Sequence, residues 1–210
     1  MKTSVIIPVK TFQKSKTRLH LSNEKTRELC RLLLEEVIKT IDETKLIDKI
    51  IVVTNEEQVS DIIKKYDCKK IQDEHETSVN NAVKLAEEYL MDNEFTHSIV
   101  LPLDVPFFYS EDLEKLLKFS SDNSVVIVPS RHFDGTNALV RTPINSMTPR
   151  YDEGSHSFQI ESAKNDDVKI SIGLIYRLML DIDNTKDLEF VLKQNIKPEF
   201  CDKIRTIIEK

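Results

Sequence analysis

Short runs of consecutive apolar residues alternate with helical patterns through the first half of the chain, and this alternation limits the fold most strongly. The apolar runs span residues 4–9, 49–54 and 98–103, and a further short strand is predicted near residues 70–71. Between them, apolar residues recur at helical spacing over about residues 24–41, 56–65 and 78–91. Strands that are apolar on both faces are typical of a parallel sheet covered by helices on both sides. The first half therefore predicts a Rossmann-like, doubly wound α/β sheet.

The second half of the chain mixes strand and helix patterns in a less regular order. Strand patterns cover residues 124–128, 136–140, 168–175 and 178–182, and helical patterns cover 155–164, 185–193 and 198–208. Asn23 and Ser110 are predicted N-caps of the helices that follow them. No Gly/Ser-rich linker, repeat or low-complexity segment divides the chain. We expect one domain over residues 1–210, an α/β fold with a mostly parallel sheet and a mixed C-terminal part.

Composition limits the partners and the compartment of this chain. The formal net charge of -6 argues against nucleic acid or an anionic membrane as a partner. No apolar run approaches the roughly 20 residues that a membrane helix needs. The apolar stretch at residues 5–7 ends at Pro8 and is too short for a signal peptide. The three cysteines are widely spaced and suit neither a zinc site nor a disulfide framework, so we expect a cytoplasmic protein.

The scarcity of glycine excludes the common phosphate-binding motifs. The chain has only Gly135, Gly154 and Gly173, so neither a dinucleotide-binding fingerprint nor a P-loop is present. A nucleotide must therefore be held by other groups.

A basic segment follows the first predicted strand. Lys10, Lys14, Lys16 and Arg18 place four cations within nine residues. Ligands of open α/β sheets bind at the carboxyl ends of the strands, where this segment begins. Lysine and arginine can offset the charge of a polyphosphate there without glycines. The alternative is a solvated basic loop with no ligand.

Acidic residues end two of the apolar runs. Asp104 follows the fourth predicted strand, and Asp181 and Asp183 end the run at residues 178–182. Residues i and i+2 of a strand share a face, so this pair of carboxylates can point the same way. Carboxylates that converge at a sheet edge repel one another unless a cation such as Mg²⁺ lies between them. Alternatively, Asp181 or Asp183 caps the helix predicted to begin at Thr185.

Two polar segments of the second half could bind an anion. The first runs from Asp134 to Asn137, and the second runs from Gly154 to Phe158. Gly154 precedes a predicted helix N-terminus, where free backbone N–H groups favour phosphate or carboxylate. Ser155 is a candidate cap of the same helix, and Ser157 can offer its hydroxyl from the first turn.

Taken together, these motifs resemble the 2-phospholactate guanylyltransferases, which activate 2-phospholactate on the route to the deazaflavin coenzyme F-420. These enzymes are relatives of the molybdopterin-type nucleotidyltransferases and have a nucleotide-diphospho-sugar transferase-like fold. The resemblance covers most of the chain and rests on the order of these segments: 8–10, 16–19, 52–54, 79–82, 101–106, 135–139, 154–158 and 180–183.

The resemblance implies a role for each matching residue. The implied phosphate-binding and catalytic residues are Lys10, Lys16, Arg18 and Asp104. Pro8, Val9, Thr54 and Asn80 complete the nucleotide site, the last two near the guanosine. The implied Mg²⁺ ligands are Asp104, Asp181 and Asp183. The implied ligands of a phosphorylated three-carbon acid are Thr136, Gly154 and Ser157. The family also implies GTP as a substrate and a homodimer.

The chain departs from the family pattern around the acid site. Many members have a histidine where this chain has Glu161, Val79 replaces a more usual leucine, and Asp152 and Glu153 make the approach to Gly154 acidic. Another phosphorylated acceptor, such as a sugar phosphate, phosphoenolpyruvate or phosphoglycerate, is therefore an alternative. A nucleotide-binding regulatory protein without turnover is a second one.

Overall fold

A computed structural model of the protein describes residues 2–151 and 154–209. Asp152 and Glu153, which were expected to make the approach to Gly154 acidic, lie outside the described residues. Its core is a seven-stranded sheet with the strand order β3-β2-β1-β4-β6-β5-β7. The strands are β1 Thr3–Val9, β2 Lys49–Thr54, β3 Cys68–Gln72, β4 His97–Val100, β5 Ser124–Pro129, β6 Thr136–Thr142 and β7 Lys169–Ile172. Only β6 runs antiparallel to its neighbours, which confirms a mostly parallel sheet with a mixed C-terminal part.

Helices connect most of these strands. The α-helices are α1 Asn23–Asp42, α2 Val59–Ile63, α3 Val79–Asp92, α4 Ser110–Leu117, α5 Ser155–Asn165, α6 Thr185–Gln194 and α7 Pro198–Glu209. Short 3₁₀ helices occupy Phe12–Lys14, Thr17–Leu19 and Tyr176–Met179. Over the described residues, no helix combines the length and the apolar composition needed to cross a membrane.

The sheet is covered on both faces because its strands are apolar on both faces. In β1, Val5 and Ile7 pack into the core cluster that includes α1, α4 and α7. Ile6 points to the opposite face, in the cluster that includes α3 and α5. Complete burial of one such side chain contributes about 1.5–3 kcal/mol. The continuous apolar run therefore stabilises both layers, as the doubly wound prediction required.

The order of the parallel strands places two loops side by side. β1 pairs with β2 on one side and with β4 on the other, so the direction of winding reverses at β1. The segments after β1 and after β4 leave the same edge of the sheet. Ligands of open α/β sheets bind in the crevice at such a reversal point.

Two strand predictions were wrong. β4 ends at Val100 rather than at residue 103, since Pro102 has no N–H to continue the ladder. Residues 178–182 do not form a sheet strand, because a 3₁₀ helix covers the first part of this segment.

The predicted helix caps were also displaced by one residue. Ser22, not Asn23, caps α1 by accepting a hydrogen bond from the Lys25 amide. Tyr109, not Ser110, is the N-cap of α4, and its amide donates to Asp112.

Candidate active site

The segment after β1 is a compact loop. Phe12 and Leu19 are buried and anchor it to the core. The buried carboxylate of Glu56 accepts a hydrogen bond from the Phe12 amide at 3.0 Å. Lys16 adopts a left-handed backbone with φ 55° and ψ 28°. A non-glycine residue in this region is strained by about 1–2 kcal/mol, and such strain is common at functional sites.

Glu76 holds the start of the same loop. Its Oε1 accepts hydrogen bonds from the amide and the hydroxyl of Thr11, at 2.6 and 2.7 Å, and its Oε2 accepts one from Lys14 at 2.9 Å. Burial alone would raise the pKa of Glu76, but these donors lower it below the ordinary value. Neither Glu76 nor Glu56 could be selected from the sequence, because no local pattern links them to the loop.

Lys16 lies between two of the predicted acidic residues. Its Nζ donates to Asp104 Oδ2 at 2.7 Å and to Asp183 Oδ1 at 3.0 Å. Burial alone would lower the pKa of Lys16, but the two carboxylates together raise it above its ordinary value. The amide of Ile182 donates to the backbone oxygen of Asp104 at 3.0 Å and holds the two acidic segments side by side. Residues far apart in sequence thus meet at one edge of the sheet.

Asp181 lies beside this ion pair. Its Oδ1 accepts a hydrogen bond from the side-chain Nδ2 of Asn137 at 3.3 Å. Burial, and then the negative charges of Asp104 and Asp183, raise the pKa of Asp181 to about 6. The local charge is therefore not fully compensated by Lys16. The alternative role of Asp181 or Asp183 as a helix cap is excluded, because Asn184 caps α6.

Mg²⁺ prefers oxygen ligands, and this edge of the sheet offers three carboxylates. The excess of negative charge there also favours a cation. Within residues 2–151 and 154–209, however, no three acidic, His or Cys side chains are arranged around one point as metal ligands. The ammonium of Lys16 lies between the oxygens of Asp104 and Asp183 instead. The chemistry of the donor set thus fits a divalent cation, while Lys16 occupies one oxygen of Asp104 and one of Asp183 in this arrangement.

The remaining members of the predicted phosphate site lie at the opening of the crevice. Pro8, Val9 and Lys10 line a cleft beside the N-terminus of α3. Lys10 and Arg18 are exposed, so their charges face the space outside the sheet edge. The structure thus places Lys10 and Lys16 in the same loop but does not bring Lys10 or Arg18 into hydrogen-bond contact with the acidic residues.

The two residues expected near the guanosine use their polar groups within the protein. Thr54 is fully buried, and its hydroxyl accepts a hydrogen bond from the Glu56 amide at 3.0 Å. Asn80 lies in the first turn of α3, where its side-chain oxygen accepts one from the Tyr151 amide at 2.8 Å. Thr54 ends β2, and Asn80 lines a separate pocket together with Asn81 and Lys84. Contact of either residue with a nucleotide stays a prediction.

The residues predicted to bind the acid lie on the neighbouring β6 and α5. The Ser155 hydroxyl donates to Thr136 Oγ1 at 3.2 Å, and Ser157 Oγ donates to the Gly154 oxygen at 2.9 Å. Gly154 has φ 74°, a conformation that favours glycine, and it precedes the free N–H groups of α5. Ser155 is the first residue of α5 and not its cap. Because Asn137 follows Thr136 and contacts Asp181, this segment borders the acidic residues.

Glu161 forms an exposed ion pair with Arg150 at 3.2 Å. Arg150 also lies over the ring of Phe158, at 4.3 Å from its centroid. This part of α5 therefore faces solvent beside the predicted acid site.

Comparison with known proteins identifies relatives over nearly the whole chain. A phosphoenolpyruvate guanylyltransferase from Conexibacter woesei is 30% identical over 193 residues, which cover 90% of this chain and 86% of the relative. A 2-phospho-L-lactate guanylyltransferase from Methanocaldococcus jannaschii is 30% identical over 90% of this chain and 81% of the relative. A 3-phospho-D-glycerate guanylyltransferase from Colwellia psychrerythraea is 30% identical over 91% of each.

Solved structures support the same fold at lower identity. A nucleotidyl transferase from Methanothermobacter thermautotrophicus superposes with a TM-score of 0.68, at 12% identity over 94% of this chain and 99% of the other. A protein from Desulfovibrio desulfuricans G20, proposed to be a nucleotide-diphospho-sugar transferase, has a TM-score of 0.72 at 16% identity over 99% of each chain. The family described as guanylyl transferase CofC like matches residues 3–208. The chain therefore belongs to this guanylyl transferase family.

Proposed function

We propose that the protein transfers a guanylyl group from GTP to 2-phospho-L-lactate or phosphoenolpyruvate, releases pyrophosphate and serves coenzyme F-420 biosynthesis. The observation that carries this proposal is the meeting of Lys16, Asp104 and Asp183 at the reversal point of the sheet. Its support from relatives is the 30% identity to guanylyltransferases that act on these two acids.

The chemistry needs alignment and charge neutralisation rather than a catalytic base. The phosphate of the acceptor attacks the α-phosphorus of GTP in line with the departing pyrophosphate. A phosphate monoester is already ionised near neutral pH, since its second pKa is about 6. In this proposal Lys10, Lys16 and Arg18 bind the triphosphate and offset the charge that moves onto the leaving group.

We assign Asp104, Asp181 and Asp183 as the residues that would hold Mg²⁺. Bound there, the ion would neutralise phosphate charge and help to orient the triphosphate. The ammonium of Lys16 contacts two of these carboxylates, and with their charge neutralised by a cation it would be available to the phosphates. Asn137 keeps the Asp181 carboxylate in place by its hydrogen bond.

The acceptor site in this proposal comprises Thr136, Gly154 and Ser157. The free N–H groups at the start of α5 suit the phosphate or the carboxylate of a small acid. We further propose that the enzyme is a cytoplasmic homodimer, as the family resemblance implies. Light scattering coupled to gel filtration would measure its mass in solution, and the mass of a monomer would contradict the proposed homodimer.

An acceptor panel tests the activity. The purified protein is incubated with Mg²⁺ and either GTP or ATP, together with phospholactate, phosphoenolpyruvate, 3-phosphoglycerate or a sugar phosphate, and pyrophosphate is measured. We expect release with GTP and one of the first two acids. The relative from Colwellia makes 3-phosphoglycerate the second candidate. GTP binding without pyrophosphate release from any acceptor would favour a regulatory protein and contradict the proposal.

A further inference from the structure

The loop between β5 and β6 adjoins the proposed acceptor site. It covers residues 130–135 and leads directly into Thr136, the first residue of β6. The loop closes on itself, because the amide of Ser130 donates to the Gly135 oxygen at 2.9 Å and the amide of Gly135 donates to Ser130 Oγ at 3.2 Å. A contact on one side of such a closed loop therefore affects the position of Thr136.

On one side the loop contacts the first turn of α5. The ring of Phe133 meets the ring of His156 edge to face, with 6.0 Å between the centroids and 78° between the planes. In sequence His156 lies between Gly154 and Ser157, the other two residues of the proposed acceptor site. The loop thus adjoins both elements that form this site, β6 and α5.

On its other side the loop is joined to α6 by Arg131. Nη2 of Arg131 donates to Asp187 Oδ1 at 3.0 Å, and the guanidinium lies over the ring of Phe190, 4.2 Å from its centroid. His132, the next residue, is farther from the same oxygen, with Nε2 at 3.6 Å. Arginine is suited to this position because one planar group forms the ion pair and covers the ring.

Asp187 also holds the backbone of the proposed metal ligand Asp183. Its Oδ2 accepts hydrogen bonds from the amides of Asp183 and Asn184, at 3.3 and 3.2 Å, and from Asn184 Nδ2 at 2.6 Å. Capping of α6 accounts for these bonds at Oδ2 but not for the ion pair at Oδ1. One carboxylate therefore contacts the metal-binding segment through one oxygen and the acceptor-side loop through the other.

We propose that Arg131 is a positioning residue, which fixes the distance between Asp183 on the metal side and Thr136 on the acceptor side. The proposed reaction joins the acceptor phosphate to the α-phosphorus of GTP, and a displacement of about 1 Å can cost about 100-fold in rate. Arg131 lies outside the basic loop after β1, so its loss should affect alignment rather than GTP binding. This inference rests on the proposed function, because it concerns the alignment of the same two substrates.

The ion pair between Arg177 and Asp112 is a matched control. Asp112 is the third residue of α4, as Asp187 is of α6, and each accepts a hydrogen bond from the N-cap amide of its helix. Arg177 donates to Asp112 at 2.6 and 2.7 Å and lies over the ring of Tyr109. The arginine and aspartate side chains are 33% and 3% exposed, against 30% and 8% for Arg131 and Asp187. The control pair joins α4 to the third 3₁₀ helix instead of to the acceptor-side loop.

Steady-state kinetics of Arg131→Met and Arg177→Met test the proposal. They are measured with GTP, Mg²⁺ and the acceptor that the wild type uses, at a temperature where circular dichroism shows both variants folded. Both should have a similarly lowered Tm, because the lost ion pairs are alike. Arg131→Met should reduce kcat by about 10- to 100-fold and leave the KM for GTP within about twofold of the wild type. Arg177→Met should retain the wild-type kcat.

A second measurement does not depend on turnover. Amide hydrogen exchange, followed by mass spectrometry, reports local opening of the backbone. In Arg131→Met it should increase at residues 134–137 and also at residues 182–184, because the two segments lose the contact that joins them. In Arg177→Met both segments should exchange as in the wild type.

Equal kcat values of the two methionine variants would overturn the inference, and so would an increase in exchange confined to residues 130–135. If Arg131→Met does not fold, Arg131→Lys is measured in its place. Lysine keeps a charge for Asp187 but lacks the planar group over Phe190, so the same changes should appear at smaller size, and their absence would also overturn the inference. Wild-type protein that releases no pyrophosphate with any acceptor would contradict the proposed function, while the exchange data would still decide the role of Arg131.

Discussion

Replacing Lys16 with methionine tests the ion pairs at the centre of the site. Methionine keeps an unbranched side chain of similar length but removes the charge between Asp104 and Asp183. The side chain of Lys16 is 8% exposed and that of Asp104 is 23% exposed, so this hydrogen bond to a charged group contributes about 1.5–3 kcal/mol. Asp183 is 51% exposed, and solvent screening reduces its contribution to about 0.2–1 kcal/mol.

The expected loss of stability from Lys16→Met is therefore about 2–4 kcal/mol. For a chain of this size that corresponds to a decrease in Tm of about 4–16 °C. The uncompensated carboxylates should then bind Mg²⁺ more readily, and Mg²⁺ at ten times its Kd should restore about 1.4 kcal/mol. Differential scanning calorimetry with and without Mg²⁺ measures both effects.

The control is Lys64→Met, because Lys64 forms an exposed ion pair on the protein surface. It should change stability by less than about 0.5 kcal/mol. A Tm of Lys16→Met equal to that of the wild type would refute the calculation. A variant that is destabilised but insensitive to Mg²⁺ would refute the assignment of the carboxylates as cation ligands.

Three further substitutions test other parts of the site. Asp104→Asn should reduce pyrophosphate release at least about 100-fold, because it removes a charge that stabilises the transition state. Wild-type turnover in the folded variant would contradict this role of Asp104. Glu76→Gln weakens the anchoring of Thr11 and should raise the KM for GTP several-fold while the fold remains, which steady-state kinetics would show; an unchanged KM would mean that this anchor does not position the loop. Asn184→Ala removes the cap of α6 and should cost about 1 kcal/mol in urea denaturation, and a stability within error of the wild type would argue against the cap.

The first half of the fold could be predicted because its strands are buried on both faces. β2 spans the residues that the apolar run indicated, and Ser78 caps α3 one residue before its first turn. Such signals are local: a run of apolar residues, a helical period and a capping side chain lie within a few residues of one another. They do not depend on the rest of the chain.

Residues 178–182 show where a local pattern misleads. Leu178, Leu180 and Ile182 alternate as in a strand and are all buried. Their burial comes from packing on the core under α6, not from pairing in the sheet, and a single backbone bond from Ile182 reaches Asp104. Alternation indicates which side chains are buried, but it does not specify the hydrogen-bond partner of the backbone.

The acidic residues of the site differ in how far sequence could identify them. Asp104 and Asp183 follow apolar runs, and this pattern was sufficient to select them, although β4 ends at Val100 and residues 178–182 form no sheet strand. Glu56 and Glu76 act on a loop that is 44 and 65 residues away in sequence, so no local spacing reveals their role.

The most direct measurement is a crystal structure of the protein with GTP and Mn²⁺, in which anomalous scattering locates the metal. We predict a Mn²⁺ peak at the carboxylates of Asp104 and Asp183, with Lys16 Nζ moved from these oxygens to the triphosphate. A metal bound elsewhere while Lys16 still bridges Asp104 and Asp183 would contradict the view that one edge of this sheet binds the metal and the nucleotide together.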